Sequence, residues 1–298
     1  MSRSGELLTR VSVPTDPSAA TKTIISVVDD LLGRVADTGA DVTAIGIGAA
    51  GFVEHSAGRM TFSPNLNYGD PQIRDAVRAR VDLPVAVDND ANAAAWGEHT
   101  FGAARGSDHL ALLLLGTGIG SGFIIDGRVL RGLTGAAAEF GHMVVDPAGP
   151  QCPCGLRGCI EQFASGLAIA REGRAAVEKD PASSILSFAG SVEEITAEHV
   201  GRAARQFDET AREVLRVAGV MLGLALGNLV NIFDPEVIVL GGGVIQTGEP
   251  MLGAARDELN KRLAAQKRRP IRLDVTVLGK DIGILGAAAL ALHLGDAV

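Results

Sequence analysis

One histidine and the chain's only three cysteines fall within eighteen residues, in the segment Glu139-Phe140-Gly141-His142 … Cys152-Pro153-Cys154-Gly155-Leu156-Arg157-Gly158-Cys159-Ile160-Glu161. An imidazole and three thiolates are the ligand set of a closed tetrahedral zinc site, so His142, Cys152, Cys154 and Cys159 are read as structural zinc ligands. A loop that brings four side chains to one ion needs tight turns, and Gly155 and Gly158 permit them. The plainer alternative is three buried free thiols beside an unrelated histidine. No apolar leader opens the sequence, so a cytoplasmic location with reduced cysteines is expected, where such clusters bind metal more often than they cross-link. Glu139 stands three residues before the first ligand and Glu161 two after the last, so a metal loop would hold two carboxylates beside a pocket.

Composition narrows the class. A chain of 298 residues exceeds a typical single domain, and two lobes are expected. Hydrophobic residues make up 47% and aromatics only 4%, a mix rich in Ala, Gly, Val and Leu that suits tightly packed α/β layers. Asp and Glu outnumber Lys and Arg by 35 to 27, and Lys267-Arg268-Arg269 is the only short basic run, which argues against nucleic acid as the main partner. The longest apolar stretch, 217–233, carries Asn228 and Asn231; it is read as a buried helix, not a membrane span.

Periodicity alternates strands with helices. A helix is expected over 19–36, with Ile24, Ile25, Val28, Leu31, Leu32 and Val35 on its apolar face, then a buried strand over 42–48. A short helix over 71–80 precedes a strand over 83–87, which runs into Asp88-Asn89-Asp90 and an Ala-rich helix from 91. The strand 110–115 leads into a glycine-rich run, and 123–125 continues as a second strand closed by the hairpin signal Asp126-Gly127. Helices follow over 165–177, 197–206 and 208–232, a strand over 237–240, a helix over 250–265, a strand over 271–277 and a last helix over 286–294. The pattern gives an α/β fold.

Four further sites carry candidate chemistry. Asp90 stands at the C-terminal end of a strand, where open α/β sheets place their ligands, and a carboxylate there can take the proton of a hydroxyl during phosphoryl transfer. An ordinary N-cap aspartate, with Asn89 in a turn, is the plain alternative. In Gly116-Thr117-Gly118-Ile119-Gly120-Ser121-Gly122, bare backbone lets N–H groups approach phosphate oxygens and the Thr117 hydroxyl adds a donor. The spacing fits neither the dinucleotide fingerprint nor the Walker A pattern, and a glycine-rich hairpin explains it equally well. Gly241-Gly242-Gly243 offers bare backbone for a nucleotide. Asn65, in Ser63-Pro64-Asn65-Leu66-Asn67, can donate and accept at once, as sugar hydroxyls require, or close an Asx-turn.

Together these segments resemble the ROK family (repressor, open reading frame, kinase), and within it the bacterial sugar kinases of glucokinase type. The likeness runs from about Glu6 onward. Its most specific parts are Glu139-Phe140-Gly141-His142 with the Cys-x-Cys-Gly-x-x-Gly-Cys-x-Glu loop, and Asp88-Asn89-Asp90-Ala91-Asn92-Ala93-Ala94-Ala95-Trp96-Gly97-Glu98. Leu115-Gly116-Thr117-Gly118-Ile119-Gly120, Leu240-Gly241-Gly242-Gly243 and the segment 278–288 complete it.

The resemblance implies a two-lobed actin-like ATPase (ribonuclease H-like) fold with an inter-lobe cleft. Residues 1–90 would form the small lobe and 91–284 the large one, with a helix over about 285–298 packing back on the first. By this likeness Asp90 is the general base for the sugar 6-hydroxyl. Asn65, Asn89, Glu139, His142 and Glu161 hold the other hydroxyls, and His142 binds zinc through one ring nitrogen and faces the sugar through the other. Gly116, Thr117, Gly118 and Gly120 cradle phosphate, and Gly241, Gly242 and Gly243 lie near the adenosine. The implied reaction is ATP-dependent phosphorylation of a hexose, glucose foremost, in glycolysis, with Mg2+ accompanying ATP and a dimer or tetramer as the assembly.

Family members open with a strand carrying Asp-x-Gly-Gly-Thr, and no such turn occurs in these 298 residues. The expectation is a chain lacking its first β-hairpin, explained by a start read too far downstream or by truncation, with sheet edges exposed and turnover weakened. Two other readings stand beside the kinase: a sugar-responsive ROK transcriptional regulator, which would carry a helix-turn-helix, and an inactive sugar-binding protein.

Overall fold

In chain order the elements are α1 (Ala20–Ala36), β1 (Ile45–Ala49), β2 (Phe52–Glu54), β3 (Arg59–Phe62), α2 (Ile73–Arg78), β4 (Val85–Asn89), α3 (Asp90–Phe101), β5 (Leu110–Leu115), β6 (Ile119–Ile125), β7 (Arg128–Val129), α4 (Glu161–Ala164), α5 (Gly166–Lys179), α6 (Ile185–Ala189), α7 (Ala197–Arg205), α8 (Glu209–Phe233), β8 (Val237–Gly241), α9 (Glu249–Ala265), β9 (Arg272–Val275) and α10 (Ile282–Gly295). This computed structural model describes residues 1–295; the final positions of the helix expected to reach 298 lie outside the described residues.

β1 and β4 pair in parallel, with Ile45 opposite Val85 and Ala49 opposite Asn89. Their side chains alternate between two faces. Ile47, Val85 and Val87 join Val28 of α1, Ile73 and Val77 of α2 and Val53 of β2 in one apolar core. On the other face Ala86 meets Ala93 and Leu290, with Trp96 at the margin. The residues there are small because two helices press close. A Cβ on Gly46 would stand 1.7 Å from the Ala287 carbonyl oxygen, and one on Gly97 would stand 2.8 Å from the Gly286 Cα. Thus α10, from the chain's end, lies on β1, β4 and α3. β2 and β3 form an antiparallel hairpin, irregular between Phe52 and Val53.

The other five strands run in the order β7-β6-β5-β8-β9. The Asp126-Gly127 turn joining β6 to β7 has both residues at positive φ, 51° and 67°, as a type I′ hairpin requires. α8 is apolar and long enough to cross a membrane by length and composition alone. It packs against α5, α7 and α9 and buries Leu215, Leu222, Leu226 and Leu229.

The residues fall into two compact units. Unit 1 holds Met1–Leu110, Gly122–Ala138 and the segment from Thr276; unit 2 holds Ala111–Ser121 and Glu139–Val275. α3 therefore belongs with the N-terminal residues.

Candidate active site and metal centre

In unit 1 the functional end of β4 is Asp88-Asn89-Asp90. Asn89, not Asp90, is the N-cap of α3: its Oδ1 accepts the N–H groups of Ala91 at 2.8 Å and Asn92 at 3.1 Å. Its Nδ2 donates to the Gly51 carbonyl at 3.0 Å. An asparagine amide has two N–H donors and two acceptor positions, so one N–H remains for a ligand hydroxyl. Asp90 is the first helical residue, and its Oδ1 accepts the Ala91 N–H at 2.9 Å. The Asp90 side chain reaches solvent, yet the atoms crowding it remove enough bulk water to raise its pKa above the ordinary carboxylate value. Tyr68 feels the same carboxylate. Burial first, then the Asp90 charge, push its phenol up to about 12, while its hydroxyl donates to the Ala50 carbonyl at 3.0 Å. Asn65 is exposed on the loop between β3 and Tyr68.

Asp88, 1% exposed, anchors this corner. Its Oδ1 accepts the Asn89 N–H at 2.8 Å and the Asn92 Nδ2–H at 3.1 Å, and its Oδ2 accepts Nε and Nη2 of Arg131, both at 2.7 Å.

In unit 2, Ile119 at the start of β6 organises the carboxylates. Its N–H donates to Glu161 Oε2 at 2.8 Å. Its carbonyl oxygen lies 2.2 Å from the place of a Cβ on Gly141, so only glycine lets the 310 turn Phe140–His142 sit against the strand. The Phe140 N–H donates to Ser121 Oγ at 3.1 Å. Glu139, at the head of that turn, Glu161, at the head of α4, and His142 are thereby gathered at one end of β6.

The glycines divide into two kinds. Gly116 and Gly243 have open space where a Cβ would stand. A Cβ on Gly118 would meet Glu161 Oε2 at 2.3 Å, and one on Gly242, at φ +89°, would meet the Leu115 carbonyl oxygen at 2.3 Å. Gly120 and Thr117 are exposed, and Gly241 is buried as the last residue of β8. Sequence patterns do not disclose the neighbour of Gly116. Its carbonyl accepts the Gly166 N–H at 2.7 Å, so the N-terminus of α5, capped by Ser165, abuts the glycine-rich loop. The Leu167 N–H donates to the Thr117 carbonyl and the Ala168 N–H to Ser165 Oγ, so the loop and the cap take the first three N–H groups of α5.

The four expected metal ligands converge, with all ligand atoms within 4.8 Å of one another. His142 Nδ1 lies 3.7 Å from Cys152 Sγ, and Cys154 Sγ lies 3.7 Å from Cys159 Sγ. Sulfurs each about 2.3 Å from a tetrahedral zinc ion stand about 3.8 Å apart, so the cluster fits an ion of that size and geometry. Gly155 and Gly158 turn the loop at φ +96° and +72°. Burial, followed by the two neighbouring thiols, pushes the Cys159 thiol up to about 12. Thiols packed this way resist ionising together until a cation is among them.

The ROK family model matches residues 1–293. The chain belongs to the ROK family. It is similar to the glucokinase of Streptomyces coelicolor, 38% identical over 95% of this chain and 89% of that protein. Among solved structures, a ROK family glucokinase from Streptomyces griseus in complex with glucose and AMPPNP superposes with a TM-score of 0.83, at 40% identity over 98% of this chain and 94% of that one. A putative xylose repressor from a Caldicellulosiruptor species is 32% identical over 91% of this chain but only 68% of its own length. The ROK chain described here has the two-lobed actin-like ATPase fold.

Proposed function

We propose that this ROK protein transfers the γ-phosphoryl group of ATP to the 6-hydroxyl of a hexose, glucose foremost, with Asp90 as general base. That it is a sugar kinase follows from its glucokinase relatives. The choice of glucose and ATP rests on the Streptomyces proteins, one of which carries glucose and an ATP analogue.

The observation that carries the assignment is Asp90 itself, a carboxylate at a strand's C-terminal end with a raised pKa. Crowding makes its charged form a stronger base than an exposed aspartate. In the proposed reaction Asp90 takes the 6-hydroxyl proton as that oxygen attacks phosphorus in line. Asn65 and the remaining Asn89 N–H, with Glu139, His142 and Glu161, orient the other hydroxyls. Gly116, Thr117, Gly118 and Gly120, and Gly241 to Gly243, would serve the nucleotide. Mg2+ enters with ATP as part of that substrate. His142, Cys152, Cys154 and Cys159 would hold zinc, which supplies rigidity and no step of the chemistry.

A coupled phosphorylation assay across glucose, mannose, fructose and N-acetylmannosamine, with zinc measured on the same sample, tests the reading. ATP turnover that depends on glucose supports it; sugar binding without ATP consumption leaves the inactive sugar-binding protein. Likeness to xylose repressors favours the regulator as second reading, and specific binding of operator DNA would decide for it.

A further inference from the structure

Every hydrogen bond of the buried Asp88 carboxylate runs either into the frame around Asp90 or to one cation. Oδ1 holds the backbone N–H of the preceding cap residue, Asn89, and the side chain of Asn92 in the first turn of α3. Oδ2 takes two nitrogens of Arg131, both at 2.7 Å. The third neighbour is His55, whose Nδ1 lies 3.4 Å from Asp88 Oδ2 and 2.8 Å from the Val87 carbonyl. A carbonyl only accepts, so Nδ1 carries the proton and the ring is spent on the free edge of β4. Burial first, then the Arg131 charge, lower the His55 pKa, so the ring is neutral at pH 7 and Arg131 alone balances Asp88. A carboxylate 1% exposed depends on that cation for compensation, because removing one partner of a buried ion pair is costly.

We propose that Arg131 is a positioning residue for phosphoryl transfer: by holding the Asp88 carboxylate in place it fixes Asn89 and Asn92, and through them the aim of the Asp90 carboxylate. Arg131 follows β7, 43 residues along the chain from Asp88. The inference rests on the reading of Asp90 as base.

The surroundings supply a direct test. A cavity of about 400 Å³ opens between His55, Trp96, Val129 and Leu290, with Arg131 in its wall. Truncating Arg131 enlarges a space that a small guanidinium ion can enter. The experiment compares the parent chain, Arg131→Ala, Arg131→Lys and Asp90→Asn by steady-state kinetics with glucose and ATP, each with and without methylguanidinium. Arg131→Ala should lower kcat about 30- to 100-fold, the scale of a displaced catalytic group, with KM for glucose within about threefold. Methylguanidinium should recover at least about tenfold of that loss and leave the parent and Asp90→Asn unchanged, since it refills a contact the alanine lacks. Arg131→Lys keeps the charge but loses the two-nitrogen grip, and should fall about tenfold in kcat.

A parental kcat in Arg131→Ala overturns the proposal, as does a folded variant, by circular dichroism, that methylguanidinium does not rescue. If Arg131→Ala fails to fold, a parental kcat in Arg131→Lys overturns it instead. Normal turnover in Asp90→Asn would sink the base assignment, a separate outcome from loss or retention of the Arg131 effect.

Discussion

The carboxylate of Glu161 fills the space that a side chain on Gly118 would need, 2.3 Å from the position of its Cβ, and accepts the next residue's N–H at 2.8 Å. The glycine-rich loop therefore shapes a carboxylate that the proposed function gives to the sugar. Gly118→Ala should push Glu161 aside and raise KM for glucose about tenfold, the scale of one lost charge-assisted hydrogen bond, with KM for ATP little changed. Steady-state kinetics with each substrate varied checks this. A rise confined to ATP would return Gly118 to the phosphate cradle.

Asp90→Asn removes the proposed base while keeping shape, and Asn89 still caps α3. Turnover should fall by about 10² to 10⁴, the usual contribution of a positioned base, with glucose affinity by calorimetry within a few-fold of the parent. Equal losses in binding and turnover would make Asp90 a sugar anchor and leave the base unassigned.

The raised pKa of Asp90 sets two opposite pH trends. Catalysis needs the ionised carboxylate, so kcat/KM should decline on acidification with a midpoint above the ordinary aspartate value of 3.8. Stability runs the other way. The native state holds the Asp90 proton more tightly than the unfolded chain, so this group's contribution is complete below 3.8 and is lost as pH rises through the native value. At pH 7 Asp90→Asn should therefore match or exceed the parent in Tm, a difference that vanishes in acid. A lower Tm at pH 7 would mean the charge is stabilised by groups other than those crowding it.

Features confined to a short stretch of chain were legible. The strand over 110–115 and the helix of 209–233 stand within a residue of the periodicity, and the four metal ligands converge because one loop carries them. Features made by long-range packing were not. β6 begins at Ile119, inside the glycine run, because glycine has no side chain to mark a strand's two faces. The β2–β3 hairpin is too short for its alternation to stand out around His55-Ser56-Ala57-Gly58. Asn89 takes the cap because the β4 backbone continues extended through it, a choice between neighbours that composition does not make. The grip of Arg131 on Asp88, and that of Ile119 on Glu161, join positions about forty residues apart and left no local pattern.

The His142 and cysteine cluster should hold one zinc per chain, measured by plasma mass spectrometry. Cys154, the exposed ligand, is the position to perturb: Cys154→Ser should lower metal content and drop Tm by about 5 °C or more, because a structural ion's binding energy is folding energy. Glucose affinity should weaken as well, since Glu161 follows Cys159 by two residues. Cobalt substitution would add the thiolate charge-transfer bands of a tetrahedral site. A folded, metal-free preparation with parental glucose affinity would remove the ion from the scheme.

Two glycines separate packing from propensity. At Gly46 a methyl group would stand 1.7 Å from the Ala287 carbonyl oxygen, so Gly46→Ala must push α10 away from β1. Overpacking of this kind costs about 1–3 kcal/mol, a Tm loss of roughly 2–12 °C for a chain of this class. Gly33, inside α1, has nothing within 4 Å of its missing Cβ. Gly33→Ala should gain about 0.5–1 kcal/mol through helix propensity alone. Differential scanning fluorimetry of both variants checks the pair. If Gly46→Ala were as harmless as Gly33→Ala, the close seat of α10 on β1 would be wrong, and with it the tie between α10 and the strand paired with β4.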